Sequence, residues 1–126
     1  MKTEKLLTET ELEMMRVLWA KGEGTVNDVL EALPSDRDLA YTSVSTILRI
    51  LEKKNFLKSR KDGRSHIYKP RVDKSDYEGR TLRHVVQNVF DGERMSLVRQ
   101  LLGAGDMKPE ELAELRKLFD KGEKPS

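Results

Sequence analysis

The stretch that decides the fold is AYTSVSTILRILEKKN, residues 40–55. Its apolar residues recur at the i, i+3, i+4 and i+7 spacing of one helix face, which predicts an amphipathic helix. The opposite face carries short hydroxyls and cations: Thr42, Ser45, Thr46, Arg49 and Lys53. Ser and Thr each cost roughly 0.5 kcal/mol relative to Ala inside a helix. We therefore expect this face to do more than meet solvent.

Two capping boxes precede this helix. Thr8 lies three residues before Glu11, and Thr25 lies three residues before Asp28. In each pair the two side chains can satisfy one another's free backbone N–H groups at a helix start. An apolar stripe follows each box, and Pro34 ends the second one. The sequence therefore predicts two helices before the helix at residues 40–55.

A β-hairpin is predicted after the third helix. Asn55 is second only to Gly as the left-handed residue that closes a helix. Asp62-Gly63, between two strand-like segments, is a strong signal for a two-residue hairpin loop. Folding about that loop places these residues opposite one another: Leu57 and Tyr68, Ser59 and His66, Lys61 and Arg64.

The order of these elements predicts a winged helix-turn-helix over residues 1–72. Three helices followed by a two-stranded ribbon is the arrangement of that fold, and a short strand near Gly24-Thr25 would add a third. The predicted class is therefore mainly α with a small β-hairpin, with a helical region over residues 73–126.

The charge of the chain is concentrated. The 126 residues carry a net charge of only +2, but residues 49–71 hold nine Lys or Arg against Glu52 and Asp62. A solvated face is the plain alternative for such a run. Its position beside the hydroxyl helix favours an electrostatic footprint for nucleic acid.

A major groove would suit the hydroxyl face. Ser and Thr are short enough to approach base edges and can donate or accept hydrogen bonds, while cations hold phosphates. The predicted DNA-binding residues are Thr42, Ser43, Ser45, Thr46, Arg49, Lys53, Lys61 and Arg64. A Ser/Thr-rich surface helix without a partner is the alternative.

Residues 73–126 predict a dimerisation region. The segment contains three short amphipathic helices, and so few residues bury their apolar faces poorly without a partner. A symmetric second copy would cover them and would pair two DNA-binding units. The predicted interface residues are Leu82, Val85, Val86, Val89, Leu97, Leu101, Leu112, Leu115 and Leu118.

Other classes of protein find little support in the residues. The chain has no Cys, and its two histidines, His66 and His84, lack a metal-ligand spacing. We therefore expect no enzyme, no metal and no cofactor. No apolar run is long enough to span a membrane, and the first fifteen residues lack the apolar stretch of a signal peptide. We expect a cytoplasmic protein without membrane insertion.

Several segments together resemble the penicillinase repressor (BlaI/MecI) family of bacterial transcription repressors. They are LTETELEMMRVLW, AYTSVSTILRILEKKNFL, GRSHIYKP, SLVRQLL and KPEELAELRKL, and the likeness runs from Leu7 to Phe119. The resemblance implies a homodimer that binds a dyad-symmetric operator in double-stranded DNA through two winged helices. It also implies that the C-terminal helices form the dimer and that repression acts by occluding a promoter.

The resemblance also bears on release from DNA. Antibiotic-resistance members of the family are inactivated by cleavage of an Asn-Phe bond, which implies a membrane sensor protease as a partner. At the matching positions this chain has Gln100-Leu101 instead of Asn-Phe. The resemblance therefore does not imply cleavage between these two residues. Two other hypotheses stay open. One is a winged-helix protein–protein adaptor without DNA, and the other is a DNA-bound regulator that activates or responds to a small ligand.

Overall fold

The computed structural model describes residues 6–34, 36–103, 105 and 107–121. In this part of the chain six helices and a two-stranded antiparallel sheet are present, so the predicted fold class is confirmed. The elements are α1 (Glu9–Lys21), α2 (Val26–Ala32), α3 (Tyr41–Lys53), β1 (Leu57–Asp62), β2 (Ser65–Pro70), α4 (Lys74–Asn88), α5 (Arg94–Gly103) and α6 (Pro109–Asp120). Two compact units, Met1–Leu82 and Arg83–Ser126, divide the chain within α4.

Both predicted capping boxes are confirmed. The Thr8 hydroxyl accepts from the Glu11 N–H at 3.1 Å, and the Glu11 carboxylate accepts from the Thr8 N–H at 2.9 Å. Thr25 and Asp28 repeat the exchange at 3.1 and 2.9 Å. Each box satisfies backbone donors that would otherwise lack a partner, which fixes where α1 and α2 begin.

The end of α3 also follows its sequence signal. Asn55 has φ 70°, the left-handed conformation predicted for it. The Asn55 N–H donates to the Glu52 carbonyl at 3.0 Å, and the Phe56 N–H donates to the Leu51 carbonyl at 2.9 Å. This is the paired bonding of a Schellman motif, and the side chains of Phe56 and Leu51 are both buried beside it. The chain therefore leaves α3 in a fixed direction and enters β1.

The predicted register of the hairpin is wrong by two residues. The pairs Leu57–Tyr68, Ser59–His66 and Lys61–Arg64 are not formed. The observed partners are Leu57 and Pro70, Lys58 and Lys69, Ser59 and Tyr68, Arg60 and Ile67, Lys61 and His66, Asp62 and Ser65.

The loop explains the change of register. The loop residues are Gly63 and Arg64 rather than Asp62 and Gly63. Gly63 has φ 66°, and Arg64 is not among the residues with positive φ. Glycine at the first central position, with positive φ there alone, matches a type II′ turn. A shift of two residues keeps every side chain on its predicted face, because the strand period is two.

The expected third strand is present as a single bridge. The Gly24 N–H donates to the Tyr68 carbonyl at 3.0 Å, and the Tyr68 N–H donates to the Gly24 carbonyl at 2.8 Å. A Cβ at position 24 would lie 3.2 Å from the Cβ of Asp28, so a larger residue there would crowd the start of α2. The bridge ties the hairpin to the segment between α1 and α2.

The core of the first unit is apolar and closely sealed. Eight side chains have no exposed surface or almost none: Met14, Met15, Leu18, Val29, Val44, Leu48, Leu51 and Leu57. Tyr77, from the start of α4, joins this core between Trp19 and Phe56, with ring centroids 5.9 and 6.1 Å away. Its hydroxyl accepts from the Leu7 N–H at 2.9 Å, and the Trp19 indole donates to the Val72 carbonyl at 2.8 Å.

The second unit buries far less. No residue of α5 or α6 whose burial the structure describes is buried, and Phe119 is 70% exposed. Val86 on α4 is the buried apolar residue of the described part of this unit. None of the helices in the described residues is long and apolar enough to span a membrane.

Candidate nucleic-acid interface

The predicted hydroxyls and cations lie on one exposed face of α3. Val44, Leu48 and Leu51 are completely buried, so the helix is held by its apolar face and turns the other outward. Of the six predicted α3 residues, Ser45 is half-buried, and the other five are exposed: Thr42, Ser43, Thr46, Arg49 and Lys53. The structure therefore presents these side chains together.

The Arg49 side chain forms a hydrogen bond within its own helix. One of its guanidinium nitrogens donates to the Ser45 hydroxyl at 3.4 Å, one turn earlier. This long bond at an exposed site is weak, and an anion can replace it. The arrangement holds a cation beside hydroxyls that can meet base edges.

The tip of the hairpin is basic in the observed register. Lys61 and Arg64 are both exposed, with Arg64 in the loop and Lys61 opposite His66. Lys61 and Arg64 are therefore not direct cross-strand partners, and the two cations are not forced together. The like-charged cross-strand pair is instead Lys58 with Lys69, nearer the base of the hairpin.

A hydrogen bond ties the hairpin to α3. The Ser59 hydroxyl donates to the Glu52 carboxylate at 2.8 Å, and Ser59 faces the buried Tyr68 across the sheet. Burial raises the pKa of the Tyr68 hydroxyl, and the nearby Glu52 carboxylate raises it further. The bond fixes β1 against the C-terminal half of α3, so hairpin and helix are held as one surface.

Lys54 forms an ion pair inside the first unit and does not belong to the exposed cationic face of α3. Its ammonium group donates to the Glu11 carboxylate at 2.7 Å, and Glu11 is only 7% exposed. Burial alone would raise the pKa of Glu11, but hydrogen bonds from Lys54 and Thr8 outweigh it, and the pKa falls below its ordinary 4.5. The pair joins the start of α1 to the end of α3.

Arg60 is also engaged. Its guanidinium donates two bonds to the Glu23 carboxylate, at 2.9 and 3.0 Å, on an exposed surface. The Arg60 hydrogen bond holds the pKa of Glu23 below its usual value. Within the described chain, the other seven cations of residues 49–71 have no carboxylate hydrogen-bond partner: Arg49, Lys53, Lys58, Lys61, Arg64, Lys69 and Arg71.

Two exposed side chains on α3 are not among the predicted DNA-binding residues. Tyr41, in the first turn, is 50% exposed, and Ile50 is 40% exposed. Ile50 could have been found, because it is apolar yet lies outside the stripe formed by Val44, Leu48 and Leu51.

The predicted interface residues of the C-terminal region are mostly accessible. Val86 is already buried within the chain, so it offers little new area to a partner. Three others are half-buried: Val85, Leu97 and Leu115. The remaining five are exposed: Leu82, Val89, Leu101, Leu112 and Leu118.

The three-helix core, the hairpin wing and the exposed hydroxyl and cationic face of α3 define a winged-helix DNA-binding protein. The sequence profile of the family described as Penicillinase repressor matches residues 7–121. The chain therefore belongs to the penicillinase repressor family. Because the family is one of transcriptional repressors, the protein is a DNA-binding repressor rather than an enzyme.

Individual relatives agree with this assignment. The methicillin resistance regulatory protein MecI of Mammaliicoccus sciuri is 28% identical over 115 residues, which cover 91% of this chain and 94% of the relative. The penicillinase repressor of Bacillus licheniformis is 28% identical over 120 residues, covering 95% and 94%. The solution structure of the DNA-binding domain of the repressor BlaI is 34% identical, with a TM-score of 0.53, over 61% of this chain and 94% of that domain.

Proposed function

We propose that this protein is a homodimeric repressor that binds a dyad-symmetric operator in double-stranded DNA and occludes a promoter. One observation carries the proposal. A single compact unit presents the hydroxyl and cationic face of α3 together with the basic tip of the hairpin. Because a repressor of this kind acts on DNA, we place it in the cytoplasm.

In this proposal α3 enters the major groove. Thr42, Ser45 and Thr46 reach base edges as donors or acceptors, and the short side chains let the helix approach closely. Arg49 reaches a guanine or a phosphate when it leaves the Ser45 hydroxyl. Lys53, at the end of the helix, holds the phosphate backbone.

The hairpin contributes affinity in this proposal. Lys61 and Arg64 contact phosphates or the minor groove beside the site that α3 reads. Such contacts release counterions, so each one adds about one unit to the slope of log affinity against log salt concentration. The tie between Ser59 and Glu52 at 2.8 Å supports joint action, because it keeps the hairpin from moving independently of α3.

Dimerisation is supported by the apolar residues left exposed after residue 81. Leu101, Leu112 and Leu118 are 44% to 56% exposed within one chain. A second copy related by a two-fold axis would cover the same residues on both chains and repeat the DNA-reading surface. Two such surfaces require two half-sites in opposite orientation.

A sensor protease remains a prediction of the family resemblance. Gln100 and Leu101 lie inside α5 and replace the Asn-Phe pair that is cleaved in the antibiotic-resistance members. The proposal therefore includes no cleavage between these two residues.

The test is DNA binding by matched variants. Thr46→Ala and Arg49→Ala should each weaken binding to a selected operator by about 1–3 kcal/mol while leaving the fold intact. Arg16→Ala removes an exposed cation from α1 and serves as the control. Wild-type affinity in both α3 variants would contradict the assignment of α3.

Salt dependence separates this function from that of a protein–protein adaptor. Lys61→Gln should reduce the salt slope by about one unit. A chain that binds no duplex above background, at any salt concentration, would instead support the adaptor hypothesis.

A further inference from the structure

Ile50 is an apolar side chain on the polar side of α3. It is 40% exposed, whereas Val44, Leu48 and Leu51 of the same helix are completely buried. It follows Thr46 by four residues and precedes Lys53 by three, so all three are neighbours on the helix surface. A lone exposed apolar residue needs no explanation, but the surroundings of this one are unusual.

Ile50 lines a shallow concavity of about 440 Å³ on the surface of α3. The other residues of this concavity are polar or charged: Thr46, Arg49, Glu52 and Lys53. The acidic member, Glu52, is engaged by the Ser59 hydroxyl at 2.8 Å. Arg49 and Lys53 have no carboxylate hydrogen-bond partner in the described residues. The concavity therefore combines unpaired positive charge with an accessible hydrocarbon surface.

These properties restrict what can cover the concavity. Two unpaired cations favour a polyanion, and Ile50 gains only if that polyanion carries an apolar group at its surface. In the major groove of DNA the C5 methyl of thymine is such a group, with phosphates on either side. Thr46 and Arg49 already belong to the proposed DNA-reading face, so the same occupant serves the whole concavity.

We propose that Ile50 contacts the C5 methyl group of a thymine in each half-site and so selects T at that position. The inference rests on the proposed function, because it requires α3 to lie in a major groove. It adds one apolar contact to hydroxyl and cationic contacts that read hydrogen-bonding groups.

The experiment removes the methyl group from the DNA. A selected operator is made with deoxyuridine replacing one thymine per half-site, each position in turn, and duplex affinity is measured for wild type and Ile50→Ala. Wild type should lose about three- to fivefold per half-site at one position, as expected for burial of one methyl-sized group. Ile50→Ala should show the same loss on the thymine duplex and no further loss on the deoxyuridine duplex.

Two controls locate the contact. Ile50→Val keeps a branched hydrocarbon and should keep the preference for thymine over deoxyuridine. Thr46→Ser removes the neighbouring methyl group of the protein and should also leave the preference intact. Because Ile50 is exposed, its variants should unfold at nearly the same denaturant concentration as wild type.

The remaining outcomes overturn the inference or the function beneath it. Equal sensitivity of wild type and Ile50→Ala at every position would show that Ile50 reads no methyl group, and loss of the preference in Thr46→Ser alone would assign it to Thr46. A selected half-site without thymine would also contradict the inference. Failure of wild type to prefer any selected duplex over random DNA would overturn the proposed function itself.

Discussion

The two units of this chain handle their apolar residues in opposite ways. In the first unit α3 directs three completely buried side chains, Val44, Leu48 and Leu51, into a shared core. In the second unit α6 has the same kind of amphipathic pattern, yet Leu112, Leu118 and Phe119 are 44%, 54% and 70% exposed. A similar sequence pattern thus gives a sealed core in one region and an open apolar face in the other.

The first unit closes its core within one chain, and the second unit does not. The first unit closes its core with local caps, a hairpin and a bridge from Gly24 to Tyr68. The described helices of the second unit leave apolar side chains in contact with water. Covering that apolar area would gain about 25 cal/mol per Å². We infer that DNA recognition belongs to the region complete within one chain, and that the other region needs a second copy.

Substitutions in the core of the first unit should change the free energy of unfolding most. Leu48→Ala should lower the free energy of unfolding by about 2–5 kcal/mol, because a completely buried leucine leaves a cavity. Ile50→Ala in the same helix should change it by less than about 0.5 kcal/mol. Urea unfolding of both variants measures the contrast, and similar losses would mean that α3 is not oriented as described.

The second prediction concerns association. Leu118→Lys should weaken the dimer by at least about 2 kcal/mol, because a charge would be placed in the covered face. Leu6→Lys, the same change at an exposed leucine of the first unit, is the matched control and should leave the dimer intact. Sedimentation at micromolar concentration measures both, and a wild-type chain that sediments only as a 14.5 kDa species would contradict the proposed dimer.

Local features of the fold could be predicted because they depend on neighbouring residues. Capping boxes at Thr8 and Thr25 and the left-handed Asn55 involve contacts within a few positions of the chain. The ion pair of Lys54 with Glu11 joins residues 43 positions apart, and no pattern in the sequence marks it. The cluster of cations could therefore be predicted from the sequence. The pairing of two of these cations, Lys54 and Arg60, with Glu11 and Glu23 could not.

The third prediction concerns that ion pair. Lys54→Met should cost about 1–3 kcal/mol, since it leaves the largely buried Glu11 carboxylate with one charged partner fewer. Lys53→Met makes the same change at an exposed neighbour and should cost less than about 0.5 kcal/mol. Equal stability of the two variants would contradict a structural role for the pair.

The pH dependence of stability has a defined sign. The pKa of Glu11 is below 4.5 in the folded chain, so the unfolded chain binds this proton more tightly. The stabilisation is complete above the unfolded pKa and is lost as the pH falls from about 4.5 through the folded pKa. Glu11→Gln should flatten this part of the stability profile, and an unchanged slope would contradict the assignment.

The smallest expected effect is at the end of α3. Asn55→Ala should cost about 1 kcal/mol, because alanine tolerates φ 70° less well than asparagine. Asn55→Gly should be neutral or stabilising by a few tenths of a kcal/mol, since glycine has no penalty there. Thermal unfolding of the pair measures the difference, and the reverse order would contradict the left-handed cap.

The hairpin shows where prediction from sequence stopped. Asp62-Gly63 and Gly63-Arg64 are both possible two-residue loops, so the local sequence does not decide between the two registers. The bridge between Gly24 and Tyr68 joins residues far apart in the sequence, and a turn motif carries no information about it. The basic tip was nevertheless predictable, because Lys61 and Arg64 are exposed in either register. Each hairpin side chain still lies on its predicted face of the sheet, because the register differs by two residues, which is one period of a strand.

The most direct test of the division between the two units is selection of bound duplexes from a random DNA pool by the full chain. We expect a consensus with two-fold symmetry, whose half-sites lie about one or two helical turns apart. Leu118→Lys should retain the half-site preference and lose the requirement for the second half-site. An asymmetric consensus, or no enrichment above random DNA, would contradict DNA reading by a symmetric dimer.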